Sequence, residues 1–352
     1  MMNKYLIIYH KEDNDGVFSG AIIYDYLKTE LKVDDAQIKL FGSEYNELAN
    51  FAKSNNPEEL HKEYNSIIMT DISFNDPLYM KKLYDEFQDN FIWCDHHAPI
   101  IKASFEHNFY TCPGIRNTQK SAILCVYEFL YDNMNEIYSQ IDKKQHPKFP
   151  ELFRILSGWD SWSYEREGYD FEYVRNINKG ITIEFNLNIN KILEVVHYII
   201  SIYQDKLVKF DIMYENDLIN NMYNLGKSLN EYDDITMENI IKNSGDKSWN
   251  IVLPDKDKGR SLYLHACAIF HQGATNSTMF KSLKKTNISQ GLVFKHSPNG
   301  NWVLSMYNIN DDHWFHCGEF LKERYNGGGH KGAAGCTLSQ EQFINILQRK
   351  QL

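Results

Sequence analysis

The chain has 352 residues, 43% of them hydrophobic, which is enough material for two globular domains with their own cores. Its formal net charge of −10 argues against a protein that tracks long nucleic acid, because affinity for phosphate backbones comes largely from lysine and arginine. No apolar run approaches the roughly 20 residues of a membrane helix and the amino-terminal sequence lacks a secretory signal, so we expect a cytoplasmic protein without a membrane partner.

Short apolar runs alternate with amphipathic stretches from the amino terminus to about residue 170, which is typical of an α/β fold with a doubly wound, mainly parallel sheet. We predict strands at 4–9, 36–41, 66–71 and 90–94. Apolar residues recur near helical spacing in three stretches, and we predict helices at 16–31, 121–134 and 151–162. Asp160 lies in the last of these helices.

The remainder of the chain predicts a helical segment followed by a smaller α/β domain. Residues 186–230 are mostly helical in pattern and contain no proline, which indicates a helical connector. The smaller domain begins near residue 248, and its predicted elements are strands at 249–253, 290–294 and 301–306, a helix around 313–325 and a glycine-rich loop at 326–336. We therefore predict an amino-terminal domain over 1–185, a helical connector over 186–245 and a smaller carboxy-terminal domain over 246–352.

Carboxylates and imidazoles follow the predicted strands at their carboxyl ends. The first strand is followed by His10, Asp13 and Asp15, the third ends on Asp71, and the fourth is followed by Asp95, His96 and His97. Active sites of open parallel sheets lie outside the carboxyl ends of the strands, so we expect these side chains to converge. Asp160, between two tryptophans in GWDSW, supplies a further carboxylate. Carboxylates mixed with imidazoles, without thiolates, favour manganese or magnesium over a structural zinc.

A pair of metal ions needs a carboxylate that bridges them, and Asp71 is the natural bridge because it stands alone at the end of its strand. We predict that the first ion is bound by His10, Asp13 and Asp71, and the second by Asp15, Asp71, His96 and Asp160. Asp95 would orient the ligating imidazoles from behind, and His97 would touch the substrate or donate a proton. Each residue alone is more simply explained as a helix cap, a surface charge or a hydrogen-bonded histidine, but their joint recurrence at strand ends is not.

These motifs resemble the Asp-His-His (DHH) phosphoesterase superfamily, and the resemblance covers most of the chain. The residues that match the family's four motifs are His10, Asp13 and Asp15, then Asp71, then Asp95, His96 and His97, then Asp160. The resemblance implies two Mn²⁺ ions at these positions, with Mg²⁺ possible. GGGHKGAAGC at 327–336 resembles the glycine-rich signature of the family's carboxy-terminal domain. It implies that Gly327, Gly328, Gly329 and His330 grip the part of the substrate that is not cleaved.

Other side chains carry weaker signals for substrate binding. Asn276 and Ser277 would contact substrate at a helix start, although an ordinary amino-terminal cap explains them as well. Arg116 would hold a phosphate, and a surface role explains it equally well. Trp159 and Trp162 would support Asp160 or stack a base, with core packing the favoured interpretation for both.

The resemblance implies hydrolysis of a phosphoester by two-metal hydroxide attack on phosphorus. Within the family, GWDSW and its preceding helix look most like the oligoribonuclease (nanoRNase) branch, so we expect an exonuclease that acts on short RNA or DNA oligonucleotides. The alternatives left open are hydrolysis of a cyclic mono- or dinucleotide or of 3′-phosphoadenosine 5′-phosphate. From a different class, a nucleotide sensor without turnover is disfavoured by the complete ligand set. The apolar residues of 186–230 also allow a homodimer.

Overall fold

The structure, a computed structural model, describes residues 3–131, 149–204, 212–255, 260–272, 277–284, 286–310, 314–329 and 331–352. Two predicted substrate-binding residues, Asn276 and His330, lie outside the described residues. The chain divides into two units, Met1–Leu229 and Asn230–Leu352. The predicted functional division at 185 and 245 stays a prediction.

The first unit is built on a parallel sheet of four strands. They are β1 (Tyr5–His10), β2 (Ile38–Ser43), β3 (Ser66–Thr70) and β4 (Phe91–Cys94), in the order β2-β1-β3-β4. Side chains of β1 alternate between two cores, with Leu6 and Ile8 in one and Ile7 and Tyr9 in the other. Both faces of the sheet are therefore buried, and the predicted doubly wound architecture is confirmed.

Helices cover both faces of this sheet. They are α1 (Asn14–Thr29), α2 (Tyr45–Ser54), α3 (Pro57–Glu63), α4 (Pro77–Phe87), α5 (Ala98–Glu106), α6 (Ala122–Tyr131), α7 (Glu151–Asp160), α8 (Phe171–Phe185), α9 (Ile189–Gln204) and α10 (Ile212–Ser244). Helices α2 to α5 contribute to the core on one face, and α1 and α6 to α9 to the core on the other. In the part of the chain that the structure describes, no helix combines the length and apolar character needed to cross a bilayer.

The strand order places a topological switch point between β1 and β3. These strands are neighbours, although the chain visits β2 on the other side of β1 between them. Ligands of open α/β sheets bind outside the carboxyl ends of the strands at such a point. Gly16, in the first turn of α1, is needed here because an added Cβ atom would lie 2.1 Å from the carbonyl oxygen of His10. Glycine therefore lets α1 begin against the end of β1.

Helices α8 and α10 also approach closely, at two glycines. A Cβ atom added to Gly180 would lie 2.0 Å from the carbonyl oxygen of Met222, and one added to Gly226 would lie 1.8 Å from that of Asn176. The backbones therefore contact each other directly. This crossing fixes the position of α8, which supplies polar side chains to the site described below.

The second unit contains a mixed sheet of six strands. They are β5 (Asp246–Asp255), β6 (Arg260–Phe270), β7 (Gln290–His296), β8 (Trp302–Asn308), β9 (Gly328–Gly329) and β10 (Ala333–Leu338), in the order β5-β6-β7-β8-β10-β9. Only the β6–β7 pair is parallel among these described strands. Helices α11 (Cys317–Tyr325) and α12 (Gln340–Arg349) pack on the core of this sheet. The predicted smaller α/β domain is confirmed as a fold.

The predicted strands of the first unit lie within two residues of the observed ones. The helices α2 to α5, α8 and α12 and the strands β6, β9 and β10 were not predicted. For β10 the physical reason is its sequence, AAGCTL, whose small residues have low strand propensity and show no alternation of polar and apolar side chains. It is held by antiparallel pairing with β8 instead.

Candidate metal centre

The first group of predicted metal ligands meets at the end of β1. His10 Nδ1 lies 2.9 Å from Asp13 Oδ2 and 3.5 Å from Asp71 Oδ2. Asp13 is fixed because it caps α1, its Oδ1 accepting a hydrogen bond of 2.9 Å from the Gly16 amide. One ligand atom from each of His10, Asp13 and Asp71 lies within 4.8 Å of the others. The structure therefore brings together the side chains predicted for the first ion.

The second group is centred on His96. Its Nε2 lies 3.3 Å from Asp160 Oδ2 and 3.8 Å from Asp15 Oδ2. Asp160 is the last residue of α7, which ends two residues before the predicted helix does. Asp15 is held by the first turn of α6, where its carboxylate accepts hydrogen bonds from the amides of Ala122 (2.7 Å) and Ile123 (3.0 Å). The predicted ligands Asp15, His96 and Asp160 thus form a second compact group.

Asp71 lies between the two groups. Its Oδ1 is 3.1 Å from His96 Nε2, while its Oδ2 faces His10. The residue is 1% exposed and adopts a left-handed backbone conformation with φ +57°. Aspartate is among the few residues other than glycine that adopt this region, and non-glycine residues in it are concentrated at functional sites. The backbone conformation thus presents one carboxylate to both histidines.

Asp95 lies behind the histidines and is completely buried. Its Oδ1 accepts hydrogen bonds from the amides of His96 (2.6 Å) and His97 (3.0 Å) and lies 2.7 Å from His97 Nδ1. Its Oδ2 accepts a bond of 3.0 Å from Trp93 Nε1. Burial acts to raise the pKa of Asp95, but the hydrogen bond and charge of His97 outweigh burial and lower it. Asp95 is therefore an ionised carboxylate that orients both histidines.

The electrostatics of this site fit a divalent cation. Burial, together with the charge of Asp15, raises the pKa of both Asp71 and Asp160 well above the ordinary range. Moreover, His10 Nδ1 and Asp160 Oδ2 are buried without a hydrogen bond of good geometry, although each lies close to oppositely charged atoms. A cation bound among these side chains would reduce the repulsion between the carboxylates and would accept the lone pairs of the unpaired nitrogen and oxygen atoms.

Binding of Mn²⁺ is expected to release protons and to strengthen as the pH rises from 6 to 8. Burial acts to lower the pKa of His10, but Asp13 and Asp71 outweigh it and raise the pKa from 6.5 to about 11. The proton on His10 therefore stabilises the metal-free fold fully below pH 6.5, and this stabilisation is lost as the pH rises toward about 11. A metal ligand must lose that proton, so affinity should rise about tenfold per pH unit for each proton released. Titration calorimetry in buffers of different ionisation enthalpy measures the released protons, and an affinity that does not change over this pH range would contradict the expectation.

The residues predicted to bind substrate are Arg116, Ser277 and the glycines at 327–329 among those that the structure describes. The guanidinium of Arg116 donates to the carbonyl oxygens of Trp93 (2.8 Å), Cys112 (2.8 Å) and Tyr110 (3.0 Å). These contacts indicate that Arg116 holds the loop that precedes it in the chain. They favour this structural role, and the predicted phosphate contact is the less favoured interpretation. Ser277 begins a 3₁₀ helix, Ser277–Leu283. Gly327 precedes the exposed edge strand β9, formed by Gly328 and Gly329.

A cavity of about 170 Å³ beside the carboxylates contains polar residues that the sequence did not single out. Its lining residues are Glu12, Asp13, Asn14, Asp15, Leu156, Trp159, Asp160, Asn178 and Thr182. Asn14 Nδ2 donates to Asn178 Oδ1 (2.7 Å) and Thr182 Oγ1 (2.8 Å) of α8, while its own Oδ1 is buried without a partner. The only sequence signal for Asn14 is its position between Asp13 and Asp15.

No family model and no curated protein sequence matches the chain. Among solved structures it is similar to a pGpG-specific phosphodiesterase, PggH, from Vibrio cholerae, with 13% identity, a TM-score of 0.49 and coverage of 99% of this chain and 97% of the other. It is similar to the exonuclease RecJ bound to manganese, with 14% identity, a TM-score of 0.49 and coverage of 99% and 89%. An exopolyphosphatase-related protein from Bacteroides fragilis is 15% identical, with a TM-score of 0.48 and coverage of 99% and 91%.

The four motifs recognised in the sequence lie at the ends of β1, β3 and β4 and at the end of α7. The fold brings their acidic and imidazole side chains into three adjoining groups of possible metal ligands, and Asp71 belongs to two of them. In motif order and in the convergence of those motifs, the chain resembles the Asp-His-His phosphoesterase superfamily.

Proposed function

We propose that the chain is a manganese-dependent phosphodiesterase that hydrolyses short oligonucleotides from one end, as a nanoRNase does. The observation that carries this proposal is the placement of Asp71, whose two oxygens face two different histidines, each within its own group of ligands. His10, Asp13 and Asp71 would hold one ion, and Asp15, Asp71, His96 and Asp160 the other. Two such ions, when bound, activate water and neutralise charge on the phosphoryl oxygens.

His97 is suited to protonate the ribose oxygen that leaves. Burial acts to lower the pKa of His97, but its hydrogen bond to Asp95 and the charge of that carboxylate raise it overall. The raised pKa favours the protonated ring, and Asp95 fixes it through Nδ1. Its side chain remains 33% exposed, so the other nitrogen is accessible to a substrate.

The glycine-rich strand of the second unit would bind the neighbouring nucleotide, and Gly328 offers a test of that role. A Cβ atom added to Gly328 would meet nothing within 4 Å, so Gly328→Ala should leave the melting temperature unchanged. If backbone amides at this position approach a phosphate, the same change should raise KM by about 10- to 100-fold, the scale of one lost hydrogen bond to a charged group.

Gly332→Ala is the matched control, because a Cβ atom there also meets nothing within 4 Å and Gly332 lies outside the three predicted glycine contacts. Steady-state kinetics on an RNA dinucleotide give KM for both variants. An unchanged KM for Gly328→Ala would remove this strand from the substrate site.

The proposed activity is tested by turnover with Mn²⁺ on a panel of phosphoesters. The panel contains a 5′-labelled RNA dinucleotide and pentanucleotide, cyclic mono- and dinucleotides, and 3′-phosphoadenosine 5′-phosphate. Stepwise shortening of the RNA with the other compounds untouched supports the proposal. Preference for a cyclic compound or for 3′-phosphoadenosine 5′-phosphate would show that the proposed substrate is wrong and that the proposed reaction, phosphoester hydrolysis, is right. Tight nucleotide binding without any turnover would indicate a sensor and overturn the proposal.

A further inference from the structure

Trp162 occupies a backbone position at which tryptophan is unfavourable. Helix α7 ends in a Schellman motif, in which the Ser163 amide donates to the Gly158 carbonyl (3.0 Å) and the Trp162 amide to the Trp159 carbonyl (3.4 Å). The residue in the left-handed position of this motif is Trp162, with φ +54°. Glycine is the usual residue there, and the ends of α8 and α11 use Asn186 and Asn326. The fold alone therefore gives no reason for a tryptophan.

The indole of Trp162 is also half exposed, at 50% of its surface, so the core packing that the sequence favoured is wrong for this residue. Other aromatic rings nevertheless pack against it. Trp159 and Phe171 stack against it, each with a centroid distance of 6.1 Å and interplanar angles of 24° and 21°. A rigid aromatic face that remains open to solvent is a surface on which another flat ring can stack.

Trp162 is close to a metal-ligand candidate along the chain. Trp162 is two residues from Asp160, a separation that the chain spans in at most about 7 Å. Its stacking partner Trp159 lines the same cavity as Asp13, Asp15 and Asp160. In a nucleotide, a single sugar separates the phosphate from the base. A phosphate held by cations at the metal centre would therefore place a base close to Trp162.

We propose that Trp162 is a specificity-determining residue that stacks a nucleobase of the substrate next to the cleaved phosphate. The proposal rests on the proposed phosphodiesterase function and adds the group that this unit recognises. A stacked ring has no hydrogen-bond code, so Trp162 selects for the presence of a base and tolerates any of the four.

The test compares Trp162→Asn with the wild type on an RNA dinucleotide and on abasic analogues that lack either base. Asparagine is well suited to the left-handed position, so the variant should fold with an unchanged or higher melting temperature. Its KM for the dinucleotide should rise roughly 10- to 100-fold, the scale of one base–aromatic stack, while kcat changes less than threefold. The wild type should lose the same factor on one abasic analogue, and the variant should lose nothing further on it.

Trp162→Phe should recover most of the affinity, because it restores a ring. Tyr232→Ala, at an aromatic residue 70% exposed in the second unit, serves as the control and should leave KM unchanged. Equal KM values for the wild type and Trp162→Asn on the intact dinucleotide overturn the stacking proposal. The proposal is also overturned if Trp162→Asn raises KM by the same factor on the abasic analogues as on the intact dinucleotide.

Binding of adenosine 5′-monophosphate and of ribose 5-phosphate, measured by calorimetry, separates this proposal from the proposed function. A protein without turnover that prefers the base-bearing compound only when Trp162 is present keeps the stacking proposal and loses the phosphodiesterase. Absence of that preference overturns the stacking proposal whether or not the protein is an enzyme.

Discussion

Replacement of Asp71 by asparagine is expected to abolish Mn²⁺ binding and phosphoester turnover while the protein stays folded. Asparagine has nearly the same shape and accepts the left-handed backbone that Asp71 adopts at φ +57°. It lacks the charge that would neutralise two cations, so activity should fall by on the order of 10³-fold or more. Thermal unfolding with and without Mn²⁺, together with turnover, measures both effects.

Loss of the charge at Asp71 should not destabilise the metal-free protein. Burial and the charges of Asp15 and Asp13 raise the pKa of Asp71 well above 3.8, so its ionisation opposes folding at neutral pH in the metal-free protein. The metal-free variant should therefore melt at the same temperature or higher, and only the rise caused by Mn²⁺ should disappear. Asp76→Asn, which changes an exposed cap of α4, is the matched control. A variant that keeps normal turnover would refute Asp71 as the shared ligand.

Replacement of Asp95 by asparagine is expected to weaken Mn²⁺ binding about 10- to 100-fold, the usual effect of losing a carboxylate behind metal-binding histidines. The structural reason is that Asp95 only accepts hydrogen bonds, from the His96 and His97 amides on one oxygen and from Trp93 on the other. An amide has a single acceptor oxygen, so at least one buried donor would lose its partner. The loss should cost about 1–3 kcal/mol of stability.

Calorimetric Mn²⁺ titration and thermal unfolding of Asp95→Asn test this expectation. Asp170→Asn is a suitable control, because Asp170 caps α8 and asparagine caps helices as well as aspartate does. Because the pKa of Asp95 is lowered in the folded protein, its stabilisation is present above the ordinary pKa and disappears as the pH falls. A variant with wild-type Mn²⁺ affinity would show that Asp95 does not position the histidines.

The convergence of the ligands was predictable because the sequence places most of them at the ends of apolar strands that are easily recognised. Apolar runs of four to six residues form the buried strands, and His10, Asp71 and Asp95 stand at or directly after their ends. In a parallel sheet those ends share one edge, so position along the chain determines position in space. Asp160 was placed by a different pattern, the helical spacing of the apolar residues that precede it.

Features that depend on distant partners were not predictable in this way. The bond from the Ala122 amide to Asp15 joins residues 107 positions apart, and the bond from Asn14 to Thr182 joins residues 168 apart. Neither leaves a periodic signal in the sequence. The left-handed backbone of Asp71 and the exposure of Trp162 are likewise set by the surrounding structure, since neither residue type indicates them.

Three acidic residues of the centre also lie at helix ends, and this limits which substitutions the protein can accept. Asp13 caps α1, Asp15 receives the first amides of α6, and Asp160 closes α7. A substitution of Asp13 or Asp15 by a residue without a side-chain acceptor would leave amides at the start of α1 or α6 without a partner, so it would cost stability as well as activity. A descendant that lost catalysis would therefore be expected to keep a residue such as asparagine, which still accepts these hydrogen bonds, at Asp13.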